Sequence, residues 1–329
     1  MMAVQKIMDI HPLSGAEFDS FRDRLRANAD LSKTNWFRVG GPAQWLFKPE
    51  NTQDLSAFLT LLPLDIPVTV LGVGSNVIVR DGGIDGVVVK LGRGFTGMSA
   101  LSLRERDGVS RGEGPHPNPL PEGEGIIVGA ACLDLNVANY ACEQNLTGLE
   151  FLSGIPGTIG GAVRMNGGAY GSDMAGVLVE AEIVERDGTI RTLSNKEIGF
   201  VYRNSALPEG AIVTKALLKA QSGDKEEITR KMQEINASRE ATQPIRARTG
   251  GSTFKNPEGY KAWELIDQAG CRGLTIGGAQ VSEKHCNFFI NTGNATARDL
   301  EALGEEVRRR VKEKTGITLE WEIKRVGKT

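Results

Sequence analysis

The sequence predicts a mixed α+β protein in two bodies, and three stretches carry that prediction. They are a strand, glycine turn and strand at 68–80, a glycine-rich segment at 148–171, and a change to helical periodicity near Ser222. In the first, VTVLGVGSNVIVR, Val68, Val70 and Leu71 are β-formers, as are Val77, Ile78 and Val79, so Gly72-Val73-Gly74-Ser75-Asn76 is the turn. Its two glycines are able to adopt φ > 0 and keep side chains away, which lets successive backbone N–H groups face one anion, a diphosphate being the obvious candidate. An ordinary tight hairpin is the competing reading. The dinucleotide fingerprint G-x-G-x-x-G is not met, because the third glycine is missing and a strand, not a helix, follows.

The chain of 329 residues has 39 basic against 41 acidic side chains and so offers no broad field for nucleic acid or an anionic membrane. An anionic ligand must therefore be held locally. Cys132, Cys142, Cys271 and Cys286 lie far apart with no C-x-x-C pair, and the three histidines do not cluster with them. Reduced thiols in a cytoplasmic protein are expected, with no metal site. No stretch has the apolar core of a signal peptide or the length of a membrane span.

In chain order, residues 1–32 read as an N-terminal helical extension, with Phe18, Phe21 and Leu25 at helical spacing. A Gly-Gly-Pro turn at 40–42 leads into a strand at 44–48. Thr52 then caps a helix carrying Leu55, Phe58, Leu59 and Leu62. After the glycine turn comes another strand at 87–90, and the alternation reads as a small α/β unit. Residues 104–125 interrupt it. Four of the thirteen prolines fall between Pro115 and Pro121 among Gly, Glu and Arg, a composition that builds no core, and β-like sequence stands on both sides. A solvent-exposed loop inserted into a hairpin is expected.

A helix at 135–144 leads to the glycine-rich segment, which holds eight glycines in 24 residues together with the core-type residues Ile155, Ile159, Val163 and Met165. Irregular spacing excludes collagen, and the apolar residues exclude a linker. A backbone laid against a buried cofactor is the better explanation. Strands at 177–185, 190–193 and 211–220 follow. Asp224 caps a helix with Ile228, Met232 and Ile235 on one face, a polar glycine-rich loop occupies 249–257, and helices are expected at 263–269 and after Thr296. The second of these carries Leu300, Leu303, Val307 and Val311. A short strand is expected at 287–291 and a last one at 317–326, the latter returning to the first body.

Five motifs in order resemble the UDP-N-acetylenolpyruvoylglucosamine reductase family, in the shorter of its two forms. They are Gly72-Val-Gly-Ser-Asn76, Gly154-Ile-Pro-Gly-Thr-Ile-Gly-Gly161 with Asn166-Gly-Gly-Ala-Tyr-Gly171, Tyr202-Arg-Asn-Ser205, Gly251-Ser-Thr-Phe-Lys-Asn-Pro257 and Leu319-Glu-Trp-Glu322. The resemblance implies a two-lobed FAD-binding domain of the vanillyl-alcohol-oxidase type at 33–221 and a C-terminal α/β substrate-binding domain at 222–329. It also implies NADPH as hydride donor and a UDP-sugar enolpyruvyl ether as substrate. Ser252 would be the proton donor, with Arg203 and Glu322 as polarising partners, and Tyr202, Lys255 and Asn256 would meet the substrate. FAD would be met by Gly72, Gly74, Ser75, Asn76, Val77, Gly154, Gly157, Thr158, Gly160, Gly161, Asn166 and Gly168. A monomer with small-molecule partners and neither nucleic acid nor membrane is expected. Taken without the resemblance, Ser252 reads as a helix-capping hydroxyl, Arg203 as a surface ion pair and Glu322 as an outward strand residue. Another flavoprotein of the same fold, or a non-catalytic nucleotide-binding module, are the alternatives.

Overall fold

The computed structural model describes Leu13, residues 15–101 and residues 124–329. The first lobe opens with a 3₁₀ turn, Ala16–Arg24, and β1, Leu25–Asp30. That corrects the expected helical extension, of which residues 1–12 and 14 lie outside the described residues. Phe18 and Phe21 are three apart, which suits a three-residue turn as well as an α-helix, and Leu25 begins the strand instead of continuing the face. Both phenylalanines are buried against Phe58 of α1 (Thr52–Leu61). The helix is capped one residue earlier than expected, by Asn51, whose side chain accepts from Asp54 N.

β2 (Pro42–Phe47), β3 (Val68–Val70), β4 (Val77–Val79) and β5 (Ile84–Val89) complete the lobe. Its sheet runs β1-β2-β5-β3, with β2, β5 and β3 parallel. The two strands around the glycine turn are not a hairpin, since β3 joins β5 and β4 leaves for a different partner. Only the second of the turn's glycines, Gly74, takes a left-handed φ, at 70°.

The second lobe is built on β6 (Met98–Leu101), β7 (Glu124–Gly129), β8 (Leu146–Thr147), β11 (Leu178–Val184), β12 (Ile190–Ser194) and β13 (Ile212–Ser222). β9 (Gly168–Ala169) and β10 (Ser172–Asp173) form a small separate ladder. The main order is β12-β11-β13-β7-β6, antiparallel throughout, with β8 on the end of β13. Helices α2 (Asp134–Glu143) and α3 (Ile159–Met165) and the single turns α4 (Met174–Val177) and α5 (Asn195–Ile198) attach to it. β6 and β7 pair with Leu101 opposite Gly125, so the proline-rich stretch does interrupt a hairpin; its residues 102–123 lie outside the described residues.

α6 (Lys225–Thr242) is capped by Asp224, which accepts from Glu227 N. It buries Ile228 and Met232 in the core of this second lobe, so by its packing it belongs there although the sequence changes character before it. The third body holds α7 (Ala262–Gln268), β14 (Thr275–Ile276), β15 (Ala279–Val281), β16 (Phe289–Asn291) and α8 (Ala297–Thr315). α8 starts on a Thr296/Asp299 capping box and ends at Gly316 in the left-handed conformation. The core of this body also takes in Phe37, Val39 and Ile78 from the first lobe.

The last strand, expected at 317–326, is shorter: β17 is Lys324–Val326. The extended segment before it has another partner. Trp321 bridges Phe254, Lys255 N donates to Glu320 O and Glu322 N donates to Thr253 O, after which β17 pairs in parallel with β4. Beside that ladder, Asp81 accepts from the first N–H groups of α8, Ala297 N and Arg298 N, at 3.0 Å each.

The hairpin end of β7 and its other end, which runs into Ala130, are six residues apart, about 20 Å at ~3.3 Å per residue. Excising residues 106–121 and closing the hairpin with a short turn should therefore leave the melting temperature and flavin content near wild type. A thermal melt and the protein's visible absorbance check this, and an apo or unstable product refutes it.

Candidate functional site

A cleft of about 400 Å³ opens between the two lobes. Leu71, Gly72, Val73 and Leu91 line it from the first lobe, and Ala130, Thr158, Gly160, Gly161 and Ala211 from the second. Four of the nominated cofactor positions, Gly72, Thr158, Gly160 and Gly161, thus face one space. At Gly72 a Cβ would come within 2.9 Å of Thr158 Oγ1 across that space, while at Gly161 the nearest atom to one, Thr158 Oγ1, is 3.8 Å away. A slot whose walls include Gly72, Gly160 and Gly161, where no side chain intrudes, suits a dinucleotide such as FAD.

The other nominated positions do different work. A Cβ on Gly74 would lie 2.5 Å from Asn35 Cα, so this glycine is required by backbone packing and by its φ. Gly157 faces Asp134, whose Oδ2 would be 2.8 Å from a Cβ there. Asp134 is fully buried, with neither carboxyl oxygen hydrogen-bonded among the described residues, and burial pushes its carboxyl well above the usual range. Gly154 lies beneath the Tyr170 ring, and Gly168 lies against Asp173. Asn166, in the left-handed conformation at the end of α3, gives its amide to Val201 O and accepts from Ala175 N. Val77 is in β4 opposite Lys324, and Ser75 Oγ would lie 3.9 Å from a Cβ on Gly157.

The nominated catalytic residues converge from three separate stretches. Asn166 ties down the 201–204 turn, in which Arg203 sits at φ 56°. Its Nη1 donates to Gly168 O at 3.0 Å, and its Nε lies 2.9 Å from Glu322 Oε1. That nitrogen has no hydrogen-bond partner, so its N–H is not directed at the carboxylate oxygen and the contact is ionic. Burial raises the Glu322 carboxyl, and the Arg203 and Lys255 charges pull it back. Tyr202 is 58% exposed, with the Arg203 guanidinium over its ring at 5.4 Å.

Ser252 bridges Phe288 and makes no side-chain hydrogen bond among the described residues, leaving its hydroxyl free for a ligand. Lys255 and Asn256 do not hold it. Lys255 Nζ is 3.2 Å from Glu320, and Asn256 Oδ1 accepts from Ala262 N at the start of α7. The clamp is Asn287, which the sequence did not single out. It accepts from Phe254 N at 2.9 Å and donates to Phe254 O at 2.8 Å, while its own carbonyl accepts from Thr253 N. Asn76 ties the glycine turn to the same place: its amide reaches Glu322 O at 3.4 Å and its carbonyl accepts from Lys324 N.

Asn287→Ala leaves the N–H and C=O of fully buried Phe254 without partners, at a cost of about 2–6 kcal/mol for the two groups. The urea midpoint should fall accordingly and turnover should fall with it. An unchanged midpoint would show that the loop is held by other means.

Residues 43–194 match an FAD binding domain, and residues 243–326 match the C-terminal domain of UDP-N-acetylenolpyruvoylglucosamine reductase. The chain is 54% identical over 307 residues to the UDP-N-acetylenolpyruvoylglucosamine reductase of Gluconobacter oxydans, covering 93% of this chain and 94% of that one. It is 52% identical over 326 residues to that of Azorhizobium caulinodans, with 99% of each covered. Its fold resembles the crystal structure of the Thermus caldophilus enzyme of the same name, with a TM-score of 0.74 and 36% identity over 92% of this chain and 98% of that one. With the cleft, the Arg203–Glu322 pair and the Ser252 loop in place, this chain belongs to the UDP-N-acetylenolpyruvoylglucosamine reductase family.

Proposed function

We propose that Ser252, Arg203 and Glu322 are the catalytic residues of an NADPH-dependent reduction of UDP-N-acetylglucosamine enolpyruvate to UDP-N-acetylmuramate, a step in peptidoglycan synthesis. FAD, when bound in the interlobe cleft, supplies the hydride relay between NADPH and the enolpyruvyl ether. The protein's own residues manage charge and a proton. Hydride arriving at the terminal carbon of the ether leaves negative charge on the adjacent carboxylate as an enolate, and a fixed guanidinium is suited to receive it. Arg203 is such a group, with Gly168 O and Glu322 limiting its freedom. Carbon 2 then needs one proton, which a hydroxyl held in place can deliver. Ser252, unbonded to protein on a strand clamped by Asn287, suits that role.

The observation that carries this reading is the ionic contact of Arg203 with Glu322, from segments more than 100 residues apart, where the Glu322 backbone also pairs with the Ser252 strand. Surface pairs do not need such an arrangement. We assign the sugar nucleotide to Lys255, whose charge acts on Glu322, and to exposed Tyr202. We read the protein as a cytoplasmic monomer. Four free cysteines support the cytoplasmic part of that reading, and no helix among the described residues is long and apolar enough to cross a membrane.

Ser252→Ala should bind FAD normally and be reduced by NADPH at close to the wild-type rate in a stopped-flow measurement. Reoxidation by the enolpyruvyl sugar should slow about 10²–10⁴-fold, the loss expected for a missing general acid. A merely structural serine predicts a loss of about 1 kcal/mol in stability and no selective effect on the second half-reaction. If both half-reactions slow together, or neither does, Ser252 is not the proton donor.

Replacing Gly72 by Val places a branched side chain in the cleft opposite Thr158, without the φ strain that the same change would meet at Gly74. The purified variant should be colourless after gel filtration. Full flavin content would show that the cofactor lies elsewhere.

A further inference from the structure

The parallel part of the first sheet ends all its strands at one edge, and that edge carries more than the glycine turn. Val70 is in register with Val89, and Leu71 N donates to Val89 O at 3.0 Å, so the residue after β5 lies beside the residue before Gly72. That residue is Lys90. Its own N–H donates to Phe47 O at 2.9 Å, which places Lys48, the residue after β2, on its other side. The carboxyl ends of β2, β5 and β3 therefore present Lys48, Lys90 and the Gly72 turn side by side. Ligands of parallel sheets bind at such edges.

Lys90 is half-buried and lines the cleft, where the other charged side chain is Arg164. Arg164 is already committed: its guanidinium donates to the carbonyls of Leu207, Pro208 and Ala211. Lys90 has no ion-pair or side-chain hydrogen-bond partner among the described residues, and no carboxylate lines the cleft. Burial and the neighbouring Lys48 ammonium both pull its pKa below the usual lysine range, which is the signature of a cation with nothing to neutralise it. A half-buried cation without a counter-ion is costly to fold. A bound anion would remove that cost.

We propose that Lys90, with Lys48 behind it, is the counter-ion of the FAD diphosphate and the residue by which the cleft favours a phosphorylated flavin over riboflavin. This rests on the placing of the cofactor at the Gly72 turn. It also answers how a chain of net charge −2 retains a dianionic group: two lysines at one sheet edge supply the positive charge where it is needed. Such a contact is electrostatic, so it must weaken with salt.

The test is flavin affinity, read from fluorescence as the holoenzyme is diluted at low and at high salt, for wild type, Lys90→Met, Lys90→Gln and Lys90→Arg. A charge-assisted contact of this kind is worth about tenfold in Kd. The two neutral variants should lose about that factor at low salt and much less at high salt. Lys90→Arg should stay close to wild type, and riboflavin should bind all four equally, which a general packing defect would not allow. Wild-type FAD affinity with wild-type salt dependence in both neutral variants would overturn the proposal, as would an equal loss for riboflavin. Gly72→Val separates the two ideas. If it keeps FAD, the placing of the cofactor fails; if it loses FAD while the neutral Lys90 variants do not, the lysine assignment alone fails.

Discussion

The arrangement depends on one extended segment, residues 319–326, that is shared between two partners. Its first half pairs with 253–255 and carries Glu322 past the Ser252 strand, and its second half pairs with β4 just beyond the glycine turn. No other element described here touches the proton-donor loop, the arginine turn and the cofactor turn together. Charges fasten the same seam. Asp81 receives the first N–H groups of α8, combining a cap with the favourable end of a helix dipole, and Arg80 pairs with Glu301 on that helix at 3.0 Å. The exposed ion pairs elsewhere on α8 contribute little by comparison.

Within that frame the Arg203–Glu322 contact is a chemical feature and not a source of stability. For Glu322 the loss of water outweighs what the undirected 2.9 Å contact returns: burial raises its carboxyl against two nearby cations. Arg203 is also held at positive φ, a backbone state of order 1–3 kcal/mol above the alternatives. Strain at Arg203 and uncompensated burial at its partner Glu322 mark a pair kept for what it does to a ligand. A carboxylate beside the guanidinium restrains it, and any negative charge that develops on the substrate competes for the same cation.

How much could be read in the sequence follows from how local each signal is. The apolar face Leu55, Phe58 and Leu59, the Thr296 cap, the Gly316 stop and the paired strands around residues 102–123 are written within a few residues and appear as expected. The glycine turn was legible as a turn, but the partners of its strands were not, because β4 is completed only by residues 324–326. The same distance hid Asn287, whose amide reads Phe254 from 33 positions away, and Lys90, which looks like any strand-ending lysine until the register sets it beside Leu71. The catalytic trio was reachable only through resemblance. A serine in a glycine loop, an arginine after a tyrosine and a glutamate in a strand carry no local mark of their task.

The β6–β7 hairpin has a meaning for how this chain is able to vary. β6 is the edge of its sheet, and the cleft begins only past the opposite end of β7. Closing a longer flexible connection costs only about 0.6 kcal/mol for each doubling of its length. A change in the length of the connection between the two strands therefore carries only a small thermodynamic cost. The same end of the molecule is a natural splice point: a fluorescent reporter or an affinity module inserted there would ride on the outer edge of the sheet and leave the chemistry between the lobes untouched.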